Sequence, residues 1–203
     1  MIGMIKPLVQ VATNPKEKLE PFALYASGTI ASSTILGVTL GSLGNIFVPS
    51  RWLPPTIGII AVIGAAMALS DFGIGGTRTL TTRRQTCPVW WRTLGRSRAI
   101  FLWGVDLGLG FTTIRVASLY WIVVLTVFAL ASPLAGAAIL CGYGCALVLN
   151  LGTGVLLLER EGSKIAAHIR ALRSSYSLKI GLAIILLLWS ALLFSLALHG
   201  IMG

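Results

Sequence analysis

An acid and a base within one apolar stretch, Asp106 and Arg115, are the residues best suited to chemistry. A charge at the centre of a bilayer costs at least ~2.5–3.5 kcal/mol on insertion scales, so each requires a partner or a hydrated cavity. In a continuous helix the two side chains would point in opposite directions, because nine steps of about 100° make two and a half turns. A break in the helix between them would let them approach each other.

The run Gly108–Thr113, with sequence GLGFTT, is the expected place for such a break. Glycines loosen a helix, and the hydroxyls of Thr112 and Thr113 can bond carbonyls that a break frees. Broken helices of this kind form binding sites in transporters. We therefore predict a candidate pathway or buried polar site formed by Asp106, Thr112, Thr113 and Arg115. In the alternative, one long tilted helix is unbroken, Asp106 caps it or pairs with a nearby arginine, and Arg115 reaches the interface.

Two thiols form the second candidate site. Cys141 and Cys145 lie four residues apart, on one face of a helix, with Gly142 and Gly144 beside them. Such a pair could bind a soft metal or take part in thiol exchange. Close packing of helices explains the same pattern, since small residues let two backbones approach. Cys87, in a basic segment, is expected to be a free thiol near the cytoplasmic interface.

Motifs of catalytic metal or phosphate sites are absent from the sequence. His168 and His199 are far apart and belong to no HExxH motif, and no glycine run ends in GK[ST]. We predict that the chain is not an enzyme, with no catalytic residues and no metal site. The residues indicate no particular cofactor.

Composition and charge define the class of protein. Of 203 residues, 56% are hydrophobic and only 11% are charged, whereas soluble domains carry about 25% charged residues. The net charge of +10 comes from short segments between apolar runs and not from a basic domain, which argues against nucleic-acid binding. The expected partners are the lipid bilayer, anionic lipids at the cytoplasmic face and, in one alternative, other membrane subunits.

The apolar runs predict an all-α polytopic membrane helix bundle of about five transmembrane helices with a broken third helix. The predicted parts are an N-terminal cytoplasmic or interfacial segment, 1–21, a single transmembrane domain, 22–199, and a C-terminal tail, 200–203. The predicted spans are about 22–48, 56–72, 99–132, 134–158 and 178–199. The third has 34 residues, about 51 Å as a straight helix, which is too long for one crossing and short for two.

The basic residues predict the orientation, because they collect in cytoplasmic segments. Five spans place 14 of the 16 basic residues on one side, leaving Arg51 outside and Arg115 within a span. With six crossings, the clusters of basic residues would lie on opposite sides of the membrane. The N-terminus is therefore expected in the cytoplasm and the C-terminus on the opposite side of a plasma or inner membrane. The clustered residues are Lys6, Lys16, Lys18, Arg78, Arg83, Arg84, Arg92, Arg96, Arg98, Arg160, Lys164, Arg170, Arg173 and Lys179.

The glycine-rich runs FLWGVDLGLGFTT (101–113) and GAAILCGYGCAL (136–147) resemble one known family. They look like the transmembrane domain of the cytochrome c biogenesis and thiol–disulfide interchange proteins, in the exporter-like superfamily. The resemblance covers about residues 22–199 and implies a broken helix, a Gly/Tyr-rich helix and a plain final span. The family's redox chemistry uses a cysteine beside a proline in the broken helix. Thr112 and Thr113 stand there instead, so no catalytic residue is carried over.

Three functions remain open. A transport or translocation protein predicts a polar cavity at the broken third helix. A structural or accessory subunit of a larger membrane complex predicts that partners seal those polar groups. A membrane thiol-redox carrier predicts that Cys141 and Cys145 lie within reach of each other and of water.

Overall fold

The computed structural model describes residues 15–72, 93–110, 119–161 and 176–202. Every described element is helical, which confirms the all-α fold class. A short 3-10 turn, Ser50–Trp52, joins the first two helices. The described residues form six α-helices: α1 Pro15–Phe47, α2 Leu53–Asp71, α3 Arg96–Leu109, α4 Leu119–Ala129, α5 Pro133–Glu161 and α6 Tyr176–Met202.

Three segments are long and apolar enough to cross a membrane: Leu19–Phe47 in α1, Leu53–Asp71 and Ile180–Leu198 in α6. Two further apolar helical segments, Leu119–Ala129 and Pro133–Leu149, are shorter. The protein therefore has the helices of a membrane protein, as its composition predicts.

The predicted third span is formed by two helices. Helix α3 ends at Leu109, and Gly110 follows in the left-handed conformation, with a φ of 70°. The N–H of Gly110 donates to the Asp106 carbonyl oxygen at 3.3 Å, which closes the last turn of α3. Helix α4 then begins at Leu119. The interruption lies at the glycine-rich run in which the sequence predicts a break.

The helices pack around two separate hydrophobic cores. The first joins α1, α3 and α5 and contains Tyr25, Ile100, Trp103, Leu107 and Val148. The second joins α2, α4 and α6 and contains Ile60, Ala61, Ala68, Ile122, Ala129, Leu186 and Leu193. The bundle is thus built from two three-helix halves.

Glycines set the direction of packing in the first half. On α3, a side chain at Gly104 would strike the Tyr25 carbonyl, and one at Gly108 would strike that of Thr29. From the first contact to the second, the residue numbers increase on both helices, so α1 and α3 run parallel. On α5, Gly144 meets Ser33 and Gly136 meets Gly37, so α5 runs antiparallel to α1.

Helix α4 has the same direction as α3. The ring of Tyr120 packs on that of Tyr143, with centroids 5.3 Å apart, and Val127 contacts Gly136, so α4 and α5 form an antiparallel pair. Since α5 opposes α1, α4 runs parallel to α1. Helices α3 and α4 therefore follow one another in one direction, and the end of α4 reaches Gly44 of α1.

Helices α2 and α6 form an antiparallel pair in the second half. Gly58 lies near Ala197, and Gly64 lies against the Ser190 side chain. The same glycine approaches Ile122 of α4. Helix α4 thus contacts both halves of the bundle.

Candidate functional site

Asp106 lies in the last turn of α3, immediately before the break, and is 9% exposed. Gly104 and Gly108 face α1, and Asp106 is about 200° around the helix from Gly104, so its side chain lies away from α1. Asp106 has a partner and is not an isolated charge. The carboxylate lies at the carbonyl end of α3, and this end of a helix carries partial negative charge. The described edge of the break is therefore electronegative.

Tyr120 joins the two edges of the break. Its hydroxyl donates a hydrogen bond of 2.5 Å to the backbone carbonyl oxygen of Leu109. That carbonyl lies in the last turn of α3, and the Tyr120 hydroxyl reaches it from the start of α4. Sequence reasoning assigned this role to Thr112 and Thr113 and missed Tyr120, which opens the apolar run of α4. Its phenol hydroxyl beside a predicted break was the available signal.

The hydroxyl residues of α1 next to α3 bond within their own helix. Thr29 donates to the Tyr25 carbonyl oxygen at 2.9 Å, and Ser33 donates to that of Thr29 at 2.8 Å. Ser32 donates to the same carbonyl at 3.2 Å and contacts Gly108 near the break. These groups are buried but satisfied, and their small size lets α3 approach the α1 backbone.

The break lies near the middle of the longest apolar segment. In Leu19–Phe47, which has 29 residues, Ser33 is the midpoint, fourteen residues from each end. Ser32 touches Gly108 of α3, and Ser33 touches Gly144 of α5. The end of α3 and the thiol-bearing part of α5 therefore lie at a similar level along α1.

Cys141 and Cys145 are free thiols and partly buried. The two side chains interact with each other, as their spacing of one helical turn allows. Gly144 between them packs on α1, whereas a side chain at Gly142 would meet open space. Helix packing thus explains one of the two glycines that lie between the cysteines.

The structure brings together only some of the predicted site residues. Asp106 lies at the break, and Cys141 lies beside Cys145. Thr112, Thr113, Arg115 and Cys87 lie outside the described residues. Within the described ranges, no group of three or more His, Cys, Asp and Glu residues is placed to hold a metal ion.

Asp71 is a second buried acid, which sequence reasoning did not select. It is the last residue of α2 and is 6% exposed, and it too has a partner. The antiparallel pairing of Gly58 with Ala197 and of Gly64 with Ser190 directs this end of α2 toward the N-terminal part of α6. The sequence feature that could have identified Asp71 is an acidic residue at the end of the predicted second span.

Comparisons of the chain with family models, curated proteins and solved structures give no match.

Proposed function

We propose that this chain is a transport or translocation protein whose pathway passes the break between α3 and α4. One observation carries the proposal: a buried carboxylate, Asp106, lies where α3 ends, level with the middle of the longest apolar segment. Charges inside a membrane are costly, and they mark solute or ion pathways where they occur. Transporters build their sites from interrupted helices of this kind.

The charge of the described edge favours a cationic solute or a proton. The carbonyl end of α3 and the Asp106 carboxylate both contribute negative potential. Arg115 belongs to the sequence between α3 and α4. A cationic solute would compete with it for the Asp106 carboxylate. Thr112 and Thr113 complete the proposed lining.

The proposed topology has five crossings, with α3 and α4 together forming the third. Two findings support it. The parallel direction of α3 and α4 lets them act as consecutive halves of one crossing. The start of α3, with Arg96 and Arg98, lies beside the N-terminal half of α1, whereas Arg51 follows its far end. This separation agrees with a cytoplasmic N-terminus and a C-terminus on the opposite side.

Cysteine accessibility tests the pathway. In a background lacking Cys87, Cys141 and Cys145, we expect Thr112→Cys and Thr113→Cys to react with a membrane-impermeant thiol reagent. Ser32→Cys, next to Gly108, should react more slowly. Ser190→Cys is the matched control, since Ser190 is also a buried serine against a glycine, but in the other half of the bundle.

The control should stay unreactive in folded protein. If Thr112→Cys and Thr113→Cys are as inert as Ser190→Cys, the pathway proposal fails. The accessory-subunit hypothesis would then be preferred, and it predicts that the purified protein migrates with a larger complex.

A second candidate function, a membrane thiol-redox carrier, is favoured by the contact between Cys141 and Cys145. Residues four apart on a helix have Cβ atoms about 5–6 Å apart, beyond the 3.5–4.5 Å that a disulfide spans, so oxidation of this pair would require α5 to unwind locally. The two thiols would pass two electrons and two protons to a partner disulfide, which becomes two thiols. Intact mass after incubation with oxidised glutathione tests this, because an internal disulfide lowers the mass by about 2 Da. A carrier should give this product, and glutathione adducts or unchanged thiols would argue against it.

A further inference from the structure

The thiols of Cys141 and Cys145 are positioned to hold one ion between them. Both side chains project from one face of α5, one helical turn apart, and the two thiols interact with each other. Both are partly buried free thiols. They lie at the edge of the contact with α1, because Gly144 between them packs on Ser33, whereas nothing lies within 4 Å of a Cβ added at Gly142. The pair therefore has open space beside it.

The separation of the two side chains favours one reaction of thiols over another. A spacing of one helical turn keeps the Cβ atoms about 5–6 Å apart, whereas a disulfide requires about 3.5–4.5 Å. Two sulfur atoms on opposite sides of one metal ion stand further apart than two bonded sulfur atoms. They reach about 4.6 Å if each metal–sulfur bond has the length of a zinc–thiolate bond, about 2.3 Å. An intact α5 therefore suits a shared metal ion better than a disulfide.

The number and type of the ligands identify the kind of metal. Zinc takes four ligands, and calcium and magnesium take six or more. Among the residues that the structure describes, no third His, Cys, Asp or Glu joins the two cysteines in a group that could hold a metal ion. Thiolates select soft ions, and of these Cu(I) accepts two sulfur ligands in a nearly linear arrangement. A monovalent ion also cancels one of the two thiolate charges, which leaves a single negative charge on the site.

We propose that Cys141 and Cys145 form a two-coordinate site for a soft monovalent metal ion, Cu(I). On binding, each thiol loses its proton to solvent and each sulfur forms a bond to the ion, so two S–H bonds are exchanged for two S–Cu bonds. Copper arrives and stays as Cu(I), and no electron is transferred. The site is separate from the pathway proposed at the break, and the proposal replaces the sequence-based expectation that the chain has no metal site.

The experiment titrates the purified full-length protein in detergent with Cu(I), kept reduced by ascorbate in the absence of oxygen, against the coloured Cu(I) chelator bicinchoninate. Native mass spectrometry should give one bound ion per chain, and X-ray absorption should give two sulfur ligands. Cys141→Ala and Cys145→Ala should each weaken binding by about 10²–10⁴-fold, because each removes the gain in affinity that comes from joining two binding groups.

Two further variants are matched controls. Cys145→Ala combined with Ala146→Cys keeps two cysteines on α5 but places them five residues apart, about 140° around the helix. Ala146 is exposed, so a cysteine there should be tolerated, and this variant should bind as weakly as the single replacements. Cys87→Ala leaves the pair in place and should bind as tightly as the unaltered protein. Thermal unfolding without metal verifies that all variants are folded.

Four results would overturn the site. Tight binding by the variant with cysteines five residues apart would show that the thiols act singly. A loss in Cys87→Ala equal to that in Cys141→Ala would assign the binding to Cys87. One ion per two chains would place the ion between molecules. Zn(II) bound as tightly as Cu(I) would indicate ligands beyond the two thiols.

Discussion

The hydroxyl of Tyr120 reaches across the break between α3 and α4 and donates to the carbonyl oxygen of Leu109, eleven residues earlier, at 2.5 Å. Tyr120→Phe removes this donor and keeps the ring contact with Tyr143. We expect a loss of about 0.6–1.7 kcal/mol in unfolding free energy, the range of hydrogen bonds between membrane helices. Thermal unfolding in detergent measures it.

Thr126→Val is the control for this change. The Thr126 hydroxyl is equally buried on α4 but bonds the Ile122 carbonyl of its own helix, at 2.8 Å. That carbonyl also has its helical N–H partner, so the substitution should be nearly neutral. Equal losses in both variants would show that the hydrogen bond to Leu109 has no special role.

Asp106→Asn and Arg115→Gln should each destabilise the protein if the two are partners. Removing one member of a buried pair commonly costs about 3–5 kcal/mol, because the other charge is left uncompensated. Exchanging the two residues in a double mutant should recover part of the loss. A double-mutant cycle on unfolding free energy measures the coupling.

Two other acids are controls for this cycle. Glu20→Gln, at an exposed position, should change little. Asp71→Asn, at a buried position in the other half, should be costly without coupling to Arg115. A coupling near zero between Asp106 and Arg115 would remove the reason for placing their pair at the break.

Gly37→Leu should disrupt the contact between α1 and α5. A Cβ on Gly37 would overlap the carbonyl oxygen of Gly136, and one on Gly136 would overlap that of Gly37. Overpacking a tight contact costs about 1–3 kcal/mol, and at least that much is expected here. Gly142→Leu on α5, where nothing lies within 4 Å of an added Cβ, should leave the Tm unchanged or raise it. Similar losses at both positions would argue against the close contact.

Replacing both Cys141 and Cys145 with Ala should leave folding, assembly and the proposed transport activity largely unchanged, because small side chains at the edge of the α1 contact satisfy packing. Size-exclusion chromatography and thermal unfolding check the fold, and solute uptake into proteoliposomes checks function. Complete loss of activity in a folded double mutant would favour the thiol-redox function.

Cys87 should be labelled only from the cytoplasmic side in the variant that lacks Cys141 and Cys145. The segment from Arg78 to Arg98 contains six arginines in 21 residues, which strongly predicts a cytoplasmic location. Arg51→Cys in a background without the native cysteines should be labelled only from outside. Labelling of Cys87 from outside alone would reverse the proposed topology.

The sequence predicted the helices well, because apolar length and interrupting glycines are local signals. The break after Leu109 and the turn before Pro133 fall where such residues stand. The sequence did not predict which helices pair. The spacing of small residues on α1 indicated a close contact but did not identify α3 and α5 as the partners. The hydroxyl of Tyr120 beside the predicted break was a signal, but its acceptor depends on where the α3 carbonyls end in space.

The packing order has a consequence for how the chain enters the membrane. Helix α1 is made early in synthesis, yet its partners α3 and α5 begin 81 and 118 positions after its first residue (96 − 15 and 133 − 15). During that interval its hydroxyls, including those of Thr29, Ser33 and Thr34, would face lipid. Because each bonds a carbonyl of its own helix, these three hydroxyls add no unsatisfied polar group to α1 before its partners arrive. The hydroxyls that later admit close neighbours thus also let α1 enter the membrane ahead of them.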